Sequence, residues 1–229
     1  MPMSTTSNPL LEQFSGRFVV LDGPDGAGKS TQARLLSERL QQRGIVVQLI
    51  REPGGTAAGE SIRALLLEKR ANSEISALAE TFLFQAARAQ LIKEVIKPAL
   101  SKGHWIVCDR FTLSTFVYQG LAGGVSTDAI ETLSRLATDG LSPDCYLVLW
   151  LPLDSAAGRR TRRGEADRME SKGEKFLADV SAAYRTFAEK SSAYKLIDAS
   201  GTVEQVQESI WRQVEPLIES HKTPGGSAS

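Results

Sequence analysis

The sequence has few of the residues that mark secreted, membrane-spanning or nucleic-acid-binding proteins. Only two of its 229 residues are cysteine, and 27 basic residues balance 27 acidic ones. A formal net charge of zero provides no general attraction to nucleic acid or to a membrane surface. We see neither an export signal nor an apolar run of about 18 residues, the length that a membrane span needs. We therefore expect no nucleic acid and no membrane among its partners.

The two cysteines, Cys108 and Cys145, lie in apolar segments that have the pattern of strands. At such positions a cysteine is expected to be a buried free thiol. Free thiols suit a reducing compartment, so we place the protein in the cytoplasm.

With 41% hydrophobic residues, the chain is long enough for one α/β domain with a sizeable core. Apolar segments alternate with helical patterns, which predicts a parallel sheet covered by helices on both faces. We expect one domain over residues 17–220, between a flexible segment at 1–16 and a disordered tail at 221–229. The segments predicted as strands are 17–22, 45–51, 104–109, 144–151 and 194–198.

Residues Gly23 to Thr31 match the G-x-x-x-x-G-K-[ST] pattern of a phosphate-binding loop. A predicted strand precedes them and an amphipathic helical pattern at 32–43 follows, so an ordinary glycine-rich turn is the weaker alternative. Lys29 is positioned to reach terminal phosphates, and Ser30 to bind Mg²⁺. The residues predicted to bind the nucleotide are Gly23, Pro24, Asp25, Gly26, Ala27, Gly28, Lys29, Ser30 and Thr31.

Charged residues stand where two further predicted strands end, and parallel sheets bind ligands at the carboxyl ends of their strands. Asp109 is predicted to hold Mg²⁺ opposite the phosphate loop, and Arg110 follows it directly. Arg51 is predicted to hold a second phosphate and Glu52 to orient that arginine. The alternative at each place is an incidental ion pair between the two neighbours.

Helical periodicity runs from Glu74 to Leu100, and Phe84 and Arg88 lie four residues apart within it. A ring and a guanidinium group so placed can stack on a flat base and donate to its edge. On spacing alone, a core phenylalanine beside a surface arginine is the commoner arrangement. Polar side chains within 112–120 are predicted to line the site of a small polar ligand.

The segment 158–172 combines glycines with the densest positive charge in the chain. We predict a movable lid whose arginines close over a transferring phosphoryl group, with a solvated helix face as the alternative. The arginines within this segment are Arg159, Arg160, Arg162, Arg163 and Arg168.

Together these motifs resemble those of bacterial thymidylate kinases, P-loop nucleoside monophosphate kinases, over residues 17–218. The resemblance implies a three-layer P-loop NTPase sandwich with a five-stranded parallel sheet flanked by helices. It implies Mg²⁺-dependent transfer of the ATP γ-phosphoryl group to dTMP, giving dTDP for dTTP synthesis and DNA replication, by a homodimer. The motifs that carry it are the phosphate loop, Arg51-Glu-Pro-Gly-Gly-Thr56, Phe84 with Arg88, Asp109-Arg-Phe-Thr-Leu-Ser114, Tyr118-Gln-Gly120 and Arg163-Gly-Glu-Ala-Asp-Arg168.

The resemblance also implies roles for single residues on the acceptor side. Arg51 and Arg110 match the arginines that hold the dTMP phosphate, with Glu52 as the orienting residue. Phe84 matches the ring stacked on thymine, and Arg88 the donor to its carbonyl edge.

Further acceptor-side roles concern the sugar and the base. Thr115 and Gln119 stand where base and sugar contacts are expected, and Tyr118 where a ring crowds the 2′ position. Asp25 matches the loop carboxylate that approaches the dTMP sugar. Phe111 replaces the tyrosine or histidine that often follows the Asp-Arg pair, so its side chain offers neither a hydroxyl nor an imidazole for a polar contact.

On the donor side, Lys29 and Ser30 match the ligands of the ATP phosphates and Mg²⁺, and Asp109 the residue that serves the metal. Arg163 resembles the lid arginine and Arg159 the residue beside the adenine. The implied catalytic set is Asp25, Lys29, Arg110 and Arg163.

Two rival functions are less well supported. Another nucleotide kinase would need a different base pocket, because a purine requires more room and other edge partners than Phe84 and Arg88 offer. A GTP-dependent switch protein would need an Asn-Lys-x-Asp motif, which the sequence lacks.

Overall fold

The computed structural model describes residues 14–68, 75–152, 168–169 and 173–221. Each of the five strands lies within its predicted apolar segment, so the strand predictions are confirmed. The predicted flexible segments lie outside the described residues except at 14–16 and 221. The strands are β1 (Phe18–Asp22), β2 (Val47–Arg51), β3 (Trp105–Asp109), β4 (Cys145–Trp150) and β5 (Tyr194–Asp198).

All the strands are parallel and form one sheet in the order β2-β3-β1-β4-β5. Asp109 is in register with Leu21 on β1 and with Arg51 on β2. The carboxyl ends of these three strands therefore meet at one edge of the sheet, as the parallel arrangement predicts.

Helices cover both faces of this sheet. Two π-helical turns, Ile92–Ile96 and Phe116–Leu121, connect or extend α-helical segments. None of the helices in the described part of the chain has the length and apolar character of a membrane span. The α-helices are α1 (Lys29–Gln42), α2 (Ala57–Leu67), α3 (Ala77–Leu91), α4 (Lys97–Ser101), α5 (Thr112–Thr115), α6 (Thr127–Thr138), α7 (Glu174–Lys190) and α8 (Val203–His221).

The buried strands divide their side chains between two core layers. Val20 and Cys108 face the layer that contains α3, α4 and α7, whereas Val19 and Leu21 face the layer that contains α1 and α8. Alternation of this kind follows from the two-residue period of a strand, and it explains why β1 and β3 are apolar throughout. Both cysteines are buried free thiols, as predicted.

One helix boundary differs from the sequence prediction, and another helix continues past a proline. The helix predicted from Glu74 begins at Ala77, because the Ser76 hydroxyl caps it by accepting a hydrogen bond from Ala79 N at 3.3 Å. The last helix, α8, contains Pro216 and continues past it to His221. The buried apolar face of α8 offsets the hydrogen bond that a proline removes.

Candidate active site

One open cleft lies at the carboxyl ends of β1, β2 and β3, and its volume is about 200 Å³. Residues predicted for the donor side and residues predicted for the acceptor side line it together. Arg88 is absent from its lining. The lining residues are Asp25, Lys29, Ser30, Arg51, Glu52, Pro53, Arg63, Leu67, Phe84, Asp109, Arg110, Ser114, Thr115, Tyr118, Gln119 and Met169.

The phosphate loop joins β1 to α1 through glycines that no other residue replaces without strain. Gly23 has φ 140°, and a Cβ atom there would come within 2.1 Å of the Leu149 carbonyl oxygen on β4. Gly28 precedes α1 in the left-handed region, with φ 87°. The loop therefore leads directly into a helix N-terminus, which favours an anion.

The carboxylate of Asp25 in the phosphate loop lies beside two cations, Lys29 and Arg110. Lys29 is buried and donates from Nζ to Pro24 O at 2.9 Å. Asp25 contacts the Arg110 guanidinium, lies 3.9 Å from Lys29 Nζ and accepts a hydrogen bond from the Tyr118 hydroxyl at 2.7 Å. Asp25 thus offsets part of the positive charge that Lys29 and Arg110 bring to the phosphate loop.

These neighbours shift the pKa values of both loop residues. Burial, together with nearby Arg110, lowers the pKa of Lys29 to about 8. Burial alone would raise the pKa of Asp25, but the charges of Arg110 and Lys29 outweigh it and hold that pKa well below its usual range. Asp25 is therefore ionised at neutral pH, and Lys29 changes from mainly charged to mainly neutral around pH 8.

Ser30 and Asp109, the residues predicted to hold Mg²⁺, are in direct contact. The Ser30 hydroxyl donates to Asp109 Oδ2 at 2.5 Å. Asp109 Oδ1 is buried, and it has no hydrogen-bond partner among the described residues. Mg²⁺ usually takes one or two protein oxygens and completes its shell with water and phosphate oxygens. An unpaired carboxylate oxygen beside a phosphate loop fits that ion.

Arg110 enters the cleft from a left-handed backbone conformation, with φ 73°. Its NH1 donates to Gly23 O at 3.0 Å and to the Ser114 and Tyr184 hydroxyls at 3.1 Å, while NH2 contacts Asp25. None of its hydrogen bonds to described residues uses Nε. The guanidinium group is thus held from several sides and keeps a donor for a ligand.

The prediction that Glu52 orients Arg51 is wrong. The Glu52 carboxylate is buried against Arg88, with 2.7 Å between Oε2 and NH2, and Arg51 instead donates to Glu60 on α2 at 3.0 Å. Glu52 N still bonds to Asp109 O, so the chain is extended there and successive side chains point to opposite faces. Burial raises the pKa of Glu52, although the guanidinium beside it opposes that rise.

Arg88 is a buried residue, contrary to the commoner expectation of a surface arginine. Its NH1 donates to Gln85 at 2.7 Å and its NH2 to Thr115 at 3.2 Å. Its guanidinium carbon lies 5.3 Å from the centre of the Phe111 ring. Phe84, by contrast, lines the cleft, so the two residues are neighbours on α3 but lie in different surroundings.

The structure also brings in residues that the sequence did not identify as functional. Asp22 and, from α7, Tyr184 surround the Arg110 guanidinium, together with Ser114, one of the polar side chains within 112–120 that were predicted to line a ligand site. The position of Asp22 directly before the loop was an available signal, whereas nothing in the sequence connects Tyr184 to a residue 74 positions earlier.

Most of the predicted lid at 158–172 lies outside the described residues, as do Arg159 and Arg163. Arg168 is described, and it forms an ion pair with buried Glu80, with 2.6 Å between NH1 and Oε1. Glu80 also accepts a hydrogen bond from Gln119 at 3.1 Å. One arginine of the predicted lid segment thus connects, through Glu80, to Gln119, which lines the cleft.

The family model and the individual relatives that match this chain carry the same description. The family model described as thymidylate kinase matches residues 21–210. A thymidylate kinase of Pseudomonas putida (strain GB-1) is 42% identical over 207 residues, which cover 90% of this chain and 98% of that protein. A thymidylate kinase of Chromohalobacter salexigens is 43% identical over 197 residues, which cover 85% of this chain and 93% of that protein.

Proposed function

The chain belongs to the thymidylate kinase family, and we propose that its cleft transfers the γ-phosphoryl group of ATP to dTMP, giving dTDP. One observation carries the assignment of residues. Lys29 of the phosphate loop lines the same cleft as Arg51 and Arg110, the arginines proposed for the acceptor phosphate. Two anion sites in one cleft are what a kinase with a phosphorylated acceptor needs, and a switch protein would have no use for the second.

On the donor side, we assign the ATP phosphates to the backbone N–H groups of the loop and to Lys29. A bound polyanion favours the charged lysine, so the depressed pKa of Lys29 in the free protein rises when ATP binds. Ser30 and Asp109 would hold Mg²⁺, which supplies charge neutralisation on the phosphate oxygens.

On the acceptor side, Arg110 and Arg51 hold the dTMP phosphate in line with the donor. The proposed transfer needs no covalent enzyme intermediate, because phosphoryl transfer depends mainly on positioning and charge stabilisation. Asp25 limits the repulsion between Lys29 and Arg110 while no substrate is bound, since it lies beside both.

The nucleoside of dTMP occupies the opposite part of the cleft in this proposal. Phe84 stacks on the thymine ring, Thr115 and Gln119 contact base and sugar, and Tyr118 crowds the 2′ position. Arg88 acts through Thr115 and Glu52, to which it is hydrogen bonded, or contacts the base only after a side-chain movement.

The test is a steady-state assay of the purified chain with ATP, Mg²⁺ and one acceptor at a time: dTMP, dUMP, dGMP, AMP or CMP. We expect dTMP to have the highest kcat/KM, equal amounts of ADP and dTDP as products, and ATP to be preferred over GTP. Lys29→Met serves as the control for contaminating kinases. Equal efficiency with all the acceptors would contradict the proposal.

Further proposals concern the residues outside the described ranges. We propose that Arg163 acts from a lid at 158–172 in the transition state, and that Arg159 lies beside the adenine. Arg163→Ala should then lower kcat far more than it raises the KM for dTMP. Equal losses in both constants would contradict a transition-state role.

We also propose a single kinase domain over 17–220 that forms a cytoplasmic homodimer. Leu78 and Phe82 lie one turn apart on α3 and are about half exposed, at 49% and 53%, which supports a helix-mediated contact. Sedimentation analysis of wild type and Phe82→Asp tests it, and a monomeric wild type at micromolar concentration would refute it.

A further inference from the structure

Asp22 ends β1 immediately before the phosphate loop, and its carboxylate is completely buried. Its Oδ1 accepts hydrogen bonds from Gly23 N at 2.9 Å and from the hydroxyls of Ser114 and Tyr184, both at 2.7 Å. Its Oδ2 accepts from the backbone N–H groups of Phe111 and Ser114, both at 3.2 Å. One carboxylate therefore joins the start of the donor loop to the turn that follows Arg110.

The hydroxyls of Ser114 and Tyr184 connect this carboxylate to Arg110 through hydrogen bonds. Each hydroxyl has one proton and two lone pairs, and each lies within hydrogen-bond distance of Asp22 Oδ1. The two hydroxyl oxygens are also hydrogen bonded to each other at 2.8 Å, and each accepts from NH1 of Arg110 at 3.1 Å. The two hydroxyls therefore link the Asp22 carboxylate to the Arg110 guanidinium.

Arg110 depends on such contacts because its own backbone does not favour its position. A non-glycine residue with φ 73° lies in a sparsely populated region and is held there by its surroundings. Asp22 supports both parts of the residue: it binds the backbone N–H of Phe111 next to it and, through two hydroxyls, the guanidinium group.

We propose that Asp22, Ser114 and Tyr184 are positioning residues that set the orientation of Arg110. Tyr184 is the member of this group that comes from a distant helix, α7. This inference rests on the proposed function, in which Arg110 holds the acceptor phosphate. Without the Tyr184 hydroxyl, Arg110 keeps its charge and its contact with Asp25, so dTMP still binds. Its guanidinium is misaligned with the transferring group, so the chemical step slows.

Tyr146 provides a matched control. It is buried like Tyr184, and its hydroxyl donates to the other oxygen of the same carboxylate, Oδ2, at 2.8 Å. It accepts a hydrogen bond from Leu113 N at 2.9 Å and makes no hydrogen bond to Arg110. Tyr184→Phe and Tyr146→Phe thus remove the same kind of bond from Asp22, and only the first removes a partner of Arg110.

The experiment measures the single-turnover rate of dTDP formation at saturating ATP and dTMP, the KM of each substrate, and the urea midpoint. We expect Tyr184→Phe to lower the single-turnover rate by about 10-fold or more, since small misalignments in active sites have effects of that size. The KM for ATP should stay within about two-fold. Tyr146→Phe should shift the urea midpoint similarly and keep the wild-type rate.

Equal rates in the two variants would overturn the inference, because a purely structural role of Asp22 predicts equal effects. If Tyr184→Phe does not fold, Ser114→Ala and Ser114→Thr decide the question. Ser114→Ala should have a lower single-turnover rate than the wild type, and Ser114→Thr, which keeps a hydroxyl, should have nearly the wild-type rate. Two equally slow variants would overturn the inference. A wild-type protein without dTMP-dependent activity would instead refute the proposed function.

Discussion

Arg168 NH1 lies 2.6 Å from Oε1 of Glu80, a carboxylate with no exposed surface on α3. The same arginine donates from Nε to Leu66 O at 2.7 Å and from its backbone N–H to Leu67 O at 3.2 Å. Those carbonyls belong to the last turn of α2, where intrahelical donors are lacking and a cation is favourable. Arg168 therefore joins α2 and α3 at the border of the cleft.

Replacing Arg168 by methionine should destabilise the protein strongly. Glu80 would stay buried and ionised without its ion pair to Arg168, and breaking a buried ion pair in this way costs about 3 to 5 kcal/mol. Urea denaturation measures the change. Lys175→Met is the control, because Lys175 and Asp179 form an ion pair at the surface, with 90% and 53% of their side chains exposed. It should change the free energy of unfolding little. If the two substitutions changed the free energy of unfolding equally, the ion pair between Arg168 and Glu80 would not stabilise the fold as predicted.

Replacing Phe84 by alanine should weaken dTMP binding. A stacked base contributes about 1 to 3 kcal/mol, so the KM for dTMP should rise by about 5-fold to 150-fold. The KM for ATP is the internal control and should stay unchanged. Phe84→Tyr, which keeps the ring, should behave nearly as wild type. An alanine variant with normal dTMP binding would place the base elsewhere in the cleft.

Replacing Asp109 by asparagine should raise the requirement for Mg²⁺. The substitution removes the charge while keeping the shape of the side chain beside Ser30. Titration of Mg²⁺ at fixed ATP should give a half-maximal concentration raised by about 10-fold or more, as for other changes around metal sites. Asp128→Asn, on the exposed surface of α6, provides the control. If both variants need the same Mg²⁺ concentration as wild type, Asp109 does not serve the metal.

The depressed pKa of Lys29 predicts proton uptake on ATP binding. Lys29 is a cation below pH 8 and increasingly neutral above it, and a bound triphosphate favours the cation. At pH 8 to 8.5, ATP binding should therefore take up protons, and the ATP affinity should fall as the pH rises further.

Calorimetry in two buffers with different ionisation enthalpies measures the proton uptake. Lys29→Arg keeps a positive charge at these pH values and should abolish the uptake. Proton release by the wild type would contradict the pKa assigned to Lys29.

The sequence was sufficient for the sheet and for the phosphate loop, because both depend on local patterns. The alternation of apolar segments with helical patterns predicted the strands, and the fixed spacing of the phosphate-loop motif identified Lys29 and Ser30. Side-chain partners at the strand ends were harder to predict. Arg51 and Glu52 are adjacent in the chain, yet the structure pairs them with Glu60 and with Arg88 respectively.

Contacts between distant segments left no pattern to detect. Tyr184 has the spacing of an ordinary core residue of an amphipathic helix, and only the packing of α7 against the sheet brings its hydroxyl to Asp22. The burial of Arg88 likewise depends on a carboxylate that lies 36 residues away in the chain.

The close approach of Gly23 to the Leu149 carbonyl has a consequence for tolerance to mutation. Gly23 meets β4 through main-chain atoms alone, because it has no side chain, so this contact should tolerate side-chain changes on β4 as long as the spacing of the two strands survives. A single added methyl group at position 23, which would come within 2.1 Å of that oxygen, should displace the phosphate loop.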